Sequence, residues 1–300
     1  MGRIVFHVGY PKCGSSSLQG NLFGVHSSID YLSTNVQSET LTDFQADSRP
    51  AEFFRALTST DECAVDRVRS IWAEHYVPAI NKDRITVLSE ENLLDIGSPP
   101  AEVLARIASV APEAHILIVI RDQAEVLRSY YDMYPTIGEG RSARYAPFSI
   151  WLEHALAGEV RLVERLKYSK AISAALHNFN SSQVHVLNFD KLYKTWDEIQ
   201  HLADVLEIDM GDVREALSKP ALNDHQIHAG KKLTRRIMGP FHASDILPYT
   251  TIRRLNRVIG IIMPTKKTQL STRERRRIID FYADDNARLT ELAPEIGWYS

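Results

Sequence analysis

Four short apolar runs, each followed by a helical pattern, constrain the fold more than any other feature of the sequence. They are "RIVFHVG" (3–9), "RITVLSE" (84–90), "HILIVIR" (115–121) and "QVHVLNFD" (183–190). Such runs of Ile, Val, Leu and Phe suit strands buried on both faces, as in a parallel sheet covered by helices. Helix signals stand between them. Ser15–Ser17 open a helix through about Val25, since serine is a favoured N-cap. "ECAVDRVRSIWAEHYV" (62–77) places Val65, Val68, Ile71, Trp72 and His75 at helical spacing. Pro99-Pro100 suit a first helical turn, and "QAEVLRSYYDMY" (123–134) forms the next helix. A long helical region runs from Phe148 to about Phe179 with a break near Gly158, and "WDEIQHLADVLEI" (196–208) follows the last run. Residues 33–50 are polar and irregular and predict a surface loop. Strand alternating with helix predicts an α/β fold with a central parallel sheet flanked by helices.

In such sheets the loops at the carboxyl ends of the strands hold the ligand. Lys12 follows the first strand, Glu90 and Glu91 the second, and Arg121 the third. The first of these loops, "HVGYPKCGSSSLQ" (7–19), spaces Gly9 and Gly14 as in the nucleoside-triphosphate loop G-x-x-x-x-G-K-[ST]. Ser15, however, stands where that loop has lysine, and the lysine is Lys12, inside the turn. A strand-to-helix loop offers free backbone N–H groups and a positive dipole end, which suit a phosphate. The glycines let the backbone close in, and the Ser15, Ser16 and Ser17 hydroxyls add donors.

Composition narrows the function classes. With hydrophobic residues at 44%, charged residues at 24% and a net charge of -3, the 300-residue chain reads as soluble and globular, not as a nucleic-acid binder. No run nears the ~20 apolar residues of a membrane span, and no secretory signal is expected. Met1-Gly2 opens like a myristoylation signal, but Phe6 stands where Ser or Thr is needed. Cys13 and Cys63 make neither a disulfide framework nor a metal quartet, so a reducing cytoplasm is expected.

The last third differs. From Lys231 to Arg277 the bases far outnumber Asp245 and Glu274. "STRERRRIIDFYADDNARLTEL" (271–292) reads as one capped helix with Ile278, Ile279, Phe281, Tyr282, Leu289 and Leu292 inward. The expected organisation is a single domain over 1–300. It has a nucleotide-binding core at 1–210 and a helical extension at 211–300.

"GYPKCGSSSL" resembles the 5′-phosphosulfate loop of the sulfotransferases that use 3′-phosphoadenylyl sulfate (PAPS), commonly written around P-K-x-G-[ST]-[ST]. That family's second signature is an arginine after a later strand and a serine eight residues on, which bind the 3′-phosphate. Here it is "IVIRDQAEVLRSYY", with Arg121 and Ser129. Eight residues is slightly more than two helical turns, so the two side chains could converge on one anion. A third echo, "VHVLNFDKL" (184–192), is like the family's strand ending in Tyr-Glu-Asp-Leu, with Phe189 in place of tyrosine. The likeness covers roughly residues 3–206.

The resemblance implies PAPS as donor, PAP as product and no metal requirement. Pro11, Lys12, Cys13, Gly14 and Ser15 to Ser17 would form the 5′-phosphate loop, and Arg121 and Ser129 the 3′-phosphate site. It places Lys12 over the oxygen that bridges phosphate and sulfate, where negative charge develops as the bond breaks. "VLSEENLL" (87–94) looks like a bacterial, carbohydrate-type Ser-Ser-Glu pattern and aligns Glu91 with the catalytic base. Glu90 is the rival, because strand neighbours point to opposite faces. The acceptor is expected to be a hydroxyl, by preference on a carbohydrate or glycolipid.

Two other classes stay open on the residues alone: an ATP-dependent small-molecule kinase and a non-catalytic nucleotide-binding module. No strand ends in a convincing magnesium-binding aspartate, Asp122 being the weak exception. "HAGKKLTRR" (228–236) is a poor match to the family's basic loop. "RRLNRVIGIIMP" (253–264) mixes bases with an apolar patch, as a peripheral membrane contact would. His7 reads as a satisfied core histidine, Cys13 as a small residue that fits its loop, and Trp72 and Trp151 as core. The Tyr130-Tyr131-Tyr134 cluster reads as packing and cleft wall.

Overall fold

The computed structural model describes residues 2–33, 49–138, 144–219 and 267–294. They fall into two units. The first draws on 2–33, 49–121, 167–219 and 284–294; the second on 122–138, 144–166 and 267–283.

The first unit is built on a five-stranded, all-parallel sheet: β1 (Ile4–Val8), β2 (Ile29–Tyr31), β3 (Ile85–Glu90), β4 (His115–Ile120) and β5 (Val184–Asn188). The spatial order is β2-β3-β1-β4-β5. The four apolar runs are its four long strands. Every residue of β1 is buried, as a central parallel strand requires. From β1 the chain runs to the edge strand β2, returns through β3 and crosses to β4 on the other side of β1, so the order reverses beside β1, the point at which such sheets open a crevice. Val8 pairs with Glu90, which brings the ends of β1 and β3 to the same height. Helix Tyr168–Asn178 packs against β4, β5 and helix Pro100–Val110, and helix Trp196–Leu206 against β5.

The sequence did not announce β2. It has three residues after the polar turn His26–Ser28, and Arg84 secures it by donating to the Ile29 carbonyl (2.8 Å) and pairing with Asp30. Arg49–Thr58 also forms an unanticipated helix, with Phe53, Phe54 and Leu57 buried. The helix after the first loop is α-helical only over Ser15–Leu18, widens into a π turn over Gln19–Phe23 and ends at Gly24, short of Val25.

In the second unit, helix Gln123–Met133 carries Tyr131, whose ring meets Phe148 at 5.1 Å and Trp151 at 5.5 Å. The Tyr131 hydroxyl donates to the Ala146 carbonyl (2.9 Å), so this tyrosine is packing. The break expected near Gly158 occurs there, at φ 94. Ser271 and Glu274 form the cap of the C-terminal helix. That helix does not run unbroken to Leu292. It splits into Thr272–Phe281 and Ala283–Leu292 at Tyr282, whose buried hydroxyl donates to the Val163 carbonyl (2.8 Å). Among the described residues no helix is long and apolar enough to cross a membrane. Residues 228–236 and 253–264 lie outside the described residues.

The sheet carries a row of histidines at one edge. At the amino ends of β4 and β5, His115 Nδ1 meets His185 Nε2 at 2.8 Å, and His185 Nδ1 meets His201 Nε2 at 3.2 Å. Arg3 joins this row, 3.3 Å from His115 Nδ1 and 2.6 Å from the Glu207 carboxylate. Burial pulls His185 down to about 4, helped by its charged and imidazole neighbours; burial alone does the same to His7 in β1. A base with a folded pKa below its unfolded value near 6.5 takes up its proton only on unfolding. Stability should therefore fall as pH drops from about 6.5 to about 4, by on the order of 3 kcal/mol for His7 alone. Melting temperature measured across that window should fall steeply in the wild type and less steeply in His185→Gln. Equal slopes would mean that the row titrates normally.

Candidate active site

The loop after β1 turns by an unusual backbone route. Lys12 sits at φ 69 and Gly14 at φ 87, both in the left-handed region. Alternating right- and left-handed residues turn successive N–H groups inward into an anion-holding concavity. Lysine in that region costs roughly 1 kcal/mol or more, so surrounding structure must hold it there. Three contacts do so. Arg121 Nη1 donates to the Lys12 carbonyl (3.1 Å), Tyr10 packs edge-on against Tyr168 (4.9 Å), and the Tyr168 hydroxyl donates to the Arg121 carbonyl (2.9 Å).

The loop residues alternate in exposure. Pro11, Cys13, Ser15 and Ser17 face inward, whereas Lys12, Gly14 and Ser16 are partly exposed. Burial pushes the Cys13 thiol up to about 12, so it stays protonated and inert, as its small-residue reading expects. The Ser17 hydroxyl shares a hydrogen bond with Tyr193.

Phe189, which replaces the family's tyrosine, has a definite place. Its ring lies against Gly14, and the Arg121 guanidinium stacks over it at 4.5 Å. Asp190 Oδ1 is 3.6 Å from Arg121 Nε. Reasoning from sequence did not find this Phe189–Arg121–Asp190 support. The "FD" after the last apolar run was its only trace. Any Cβ on Gly14 would overlap the Phe189 ring and sit at a φ that side chains resist. Gly14→Ala is thus expected to destabilise the protein by about 2 kcal/mol and to weaken anion binding. Calorimetric melting with and without nucleotide checks this; an unchanged melt would mean the ring is not held against the loop.

The two glutamates differ sharply. Glu90 ends β3, and its Oε1 accepts from the Asn92 backbone N–H (3.2 Å) and side-chain amide (3.1 Å), which caps the following turn. Glu91 lies within electrostatic reach of Lys12. Burial raises its pKa above the ordinary carboxylate value, with Glu90 and Asp95 adding to the rise and Lys12 opposing it. A desolvated carboxylate beside a loop lysine has the protonation behaviour a general base needs.

Behind the loop, Ser89 is the hub of a buried network. His7 Nδ1 lies 2.7 Å from Ser89 Oγ, Gln19 Nε2 donates to the same oxygen (2.9 Å), and Ser33 Oγ donates to the Ser89 carbonyl. His7 is a core histidine as expected, but it is satisfied only at Nδ1; Nε2 is buried without a partner.

Lys12, Glu91 and Arg121 share the carboxyl edge of the first unit's sheet, whereas Ser129 belongs to the second unit, on helix Gln123–Met133, partly exposed. Asp122 is committed structurally. Its Oδ1 accepts from the Glu125 N–H (3.0 Å), and its Oδ2 pairs with Arg275 (3.2 Å). Arg276 pairs with Asp280 and Arg277 with Glu153, so much of the described basic segment is engaged in ion pairs.

None of the curated proteins matches the sequence. The crystal structure of a sulfotransferase from Alicyclobacillus acidocaldarius shares the fold at a TM-score of 0.53. It is 17% identical over 97% of this chain and 96% of that one. The family model described as the sulfotransferase domain matches residues 3–236, and the chain belongs to that family.

Proposed function

We propose that the protein moves the sulfuryl group of PAPS to an acceptor hydroxyl, by preference on a carbohydrate or glycolipid. The observation that carries this reading is the Val8–Glu90 pairing, which sets the Lys12 loop and Glu91 at the same edge of adjacent strands β1 and β3, within electrostatic reach of each other. One charge suits the acceptor's proton and the other the leaving group. The acceptor oxygen forms its bond to sulfur as the bond from sulfur to the 5′-phosphate oxygen breaks in line. The hydroxyl proton passes to Glu91, and the electron pair of the broken bond leaves on PAP. Lys12 stabilises that departing charge, and fixed charge plus alignment supply most of the acceleration.

Gly14, Ser15, Ser16 and Ser17 are assigned to the 5′-phosphate. Arg121 is assigned to the 3′-phosphate, as is Ser129 on the family resemblance alone. Both oxygens of Asp122 are already engaged, which favours this reading over a metal-assisted kinase. The cytoplasm is the proposed location, and 211–300 the proposed acceptor side.

Thermal-shift binding against PAP, ATP with Mg²⁺, and ADP tests the donor. PAP alone should raise the melting temperature. Stabilisation by ATP with Mg²⁺ and not by PAP would reject the proposal. Transfer of ³⁵S from labelled PAPS to a pool of glycans and metabolites then reads the acceptor class.

A further inference from the structure

The Ser89 network reaches His7, whose far ring nitrogen lies near the loop. Ser89 Oγ receives the Gln19 amide, is hydrogen-bonded to Tyr31 and lies 2.7 Å from His7 Nδ1, to which it can donate its own proton. With that donation the neutral imidazole carries its proton on Nε2. His7 and Ser15 are fully buried, at 0% and 1% exposure, and neither His7 Nε2 nor Ser15 Oγ has a hydrogen-bond partner. A buried donor left unsatisfied costs about 1–3 kcal/mol, so two such groups side by side require a reason.

Gly9 separates them. A Cβ there would lie 3.0 Å from Ser15 Oγ and 3.4 Å from His7 Nε2. Gly9 is not in the left-handed region, so its backbone would accept alanine. What glycine provides is an open space between the imidazole and the hydroxyl.

We propose that His7 is a positioning residue for the donor nucleotide. When the anion binds, its Nε2–H donates across the space at Gly9 to Ser15 Oγ and so turns the Ser15 O–H onto the 5′-phosphate. The relay then runs Gln19 to Ser89 to His7 to Ser15 to the anion, with no net charge moved. Burial keeps His7 neutral near pH 7, which preserves the relay's direction. This rests on the donor reading above, and its test separates the two.

The test combines ring-nitrogen NMR with PAP calorimetry. In the wild type, His7 should be the neutral Nε2–H tautomer, and its Nε2–H resonance should shift when PAP binds. A proton on Nδ1, or an unmoved resonance in protein that binds PAP, would overturn the proposal. His7→Asn keeps an acceptor for Ser89 but does not reach Ser15; His7→Gln extends an amide donor to the Nε2 position. PAP affinity should fall about tenfold in His7→Asn and Ser15→Ala, and recover to within about threefold of wild type in His7→Gln.

The double variant His7→Asn/Ser15→Ala should bind no more weakly than Ser15→Ala alone; additive losses would mean that the residues act separately. Gly9→Ala, which fills the space and leaves the histidine in place, should reproduce the His7→Asn loss if that variant folds poorly. Full affinity in Gly9→Ala would count against the route. If wild-type protein does not bind PAP at all, the donor reading fails and takes this inference with it.

Discussion

Glu91→Gln is expected to lower turnover by about 10²–10⁴-fold, the range lost when a general base is removed, while PAP still binds. Glutamine keeps the size of the side chain and removes only the ability to take a proton. Glu90→Gln should cost less than about tenfold, because an amide oxygen can still accept from Asn92 as the carboxylate does. The pH profile gives a second readout. Burial holds the Glu91 carboxyl above its ordinary pKa, so the acid limb of kcat/KM should lie above the usual glutamate range, with activity lost as pH falls through it. Glu90 contributes to that rise through like-charge repulsion. Glu90→Gln should therefore move the limb to lower pH. Steady-state kinetics over the acid range check both effects. Loss of turnover in Glu90→Gln alone, or a limb that stays where it was, would exchange the roles of the two residues.

The four long strands were legible because burial on both faces demands continuous apolar runs, and β1, β3, β4 and β5 obey that rule. The phosphate loop was legible because glycine, proline and serine sit there at fixed offsets from a strand. Other features escaped because their causes are non-local. β2 depends on Arg84, more than fifty residues on. Gln19 reads as an ordinary helix residue and becomes a network member only when the π turn faces it toward Ser89. The capping role of Glu90 and the coupling of Glu91 to Lys12 could not be separated by strand alternation, since Glu90 closes β3 and Glu91 already lies in the turn. Phe189 shows the opposite case. Its identity marked a departure from the family pattern, but its packing against Gly14 and Arg121 required coordinates.

Lys12→Ala should lower kcat by about 10²–10³-fold, as removal of a group that stabilises transition-state charge does. The side chain is singled out by its backbone. A lysine at φ 69 occupies a conformation that glycine would adopt with less strain. Lys12→Gly then makes a sharper test than alanine. It should melt no lower than wild type, because the left-handed turn suits glycine, and yet lose turnover as fully as Lys12→Ala. A purely structural lysine would give the reverse, with activity intact and stability changed. The ammonium also lowers the Glu91 pKa, so its removal should shift the acid limb upward, opposite to Glu90→Gln. Opposed shifts in the two variants would tie both charges to one carboxylate. Shifts in the same direction, or near-full activity in Lys12→Gly, would separate Lys12 from the reacting centre and remove the basis for assigning it to the leaving group.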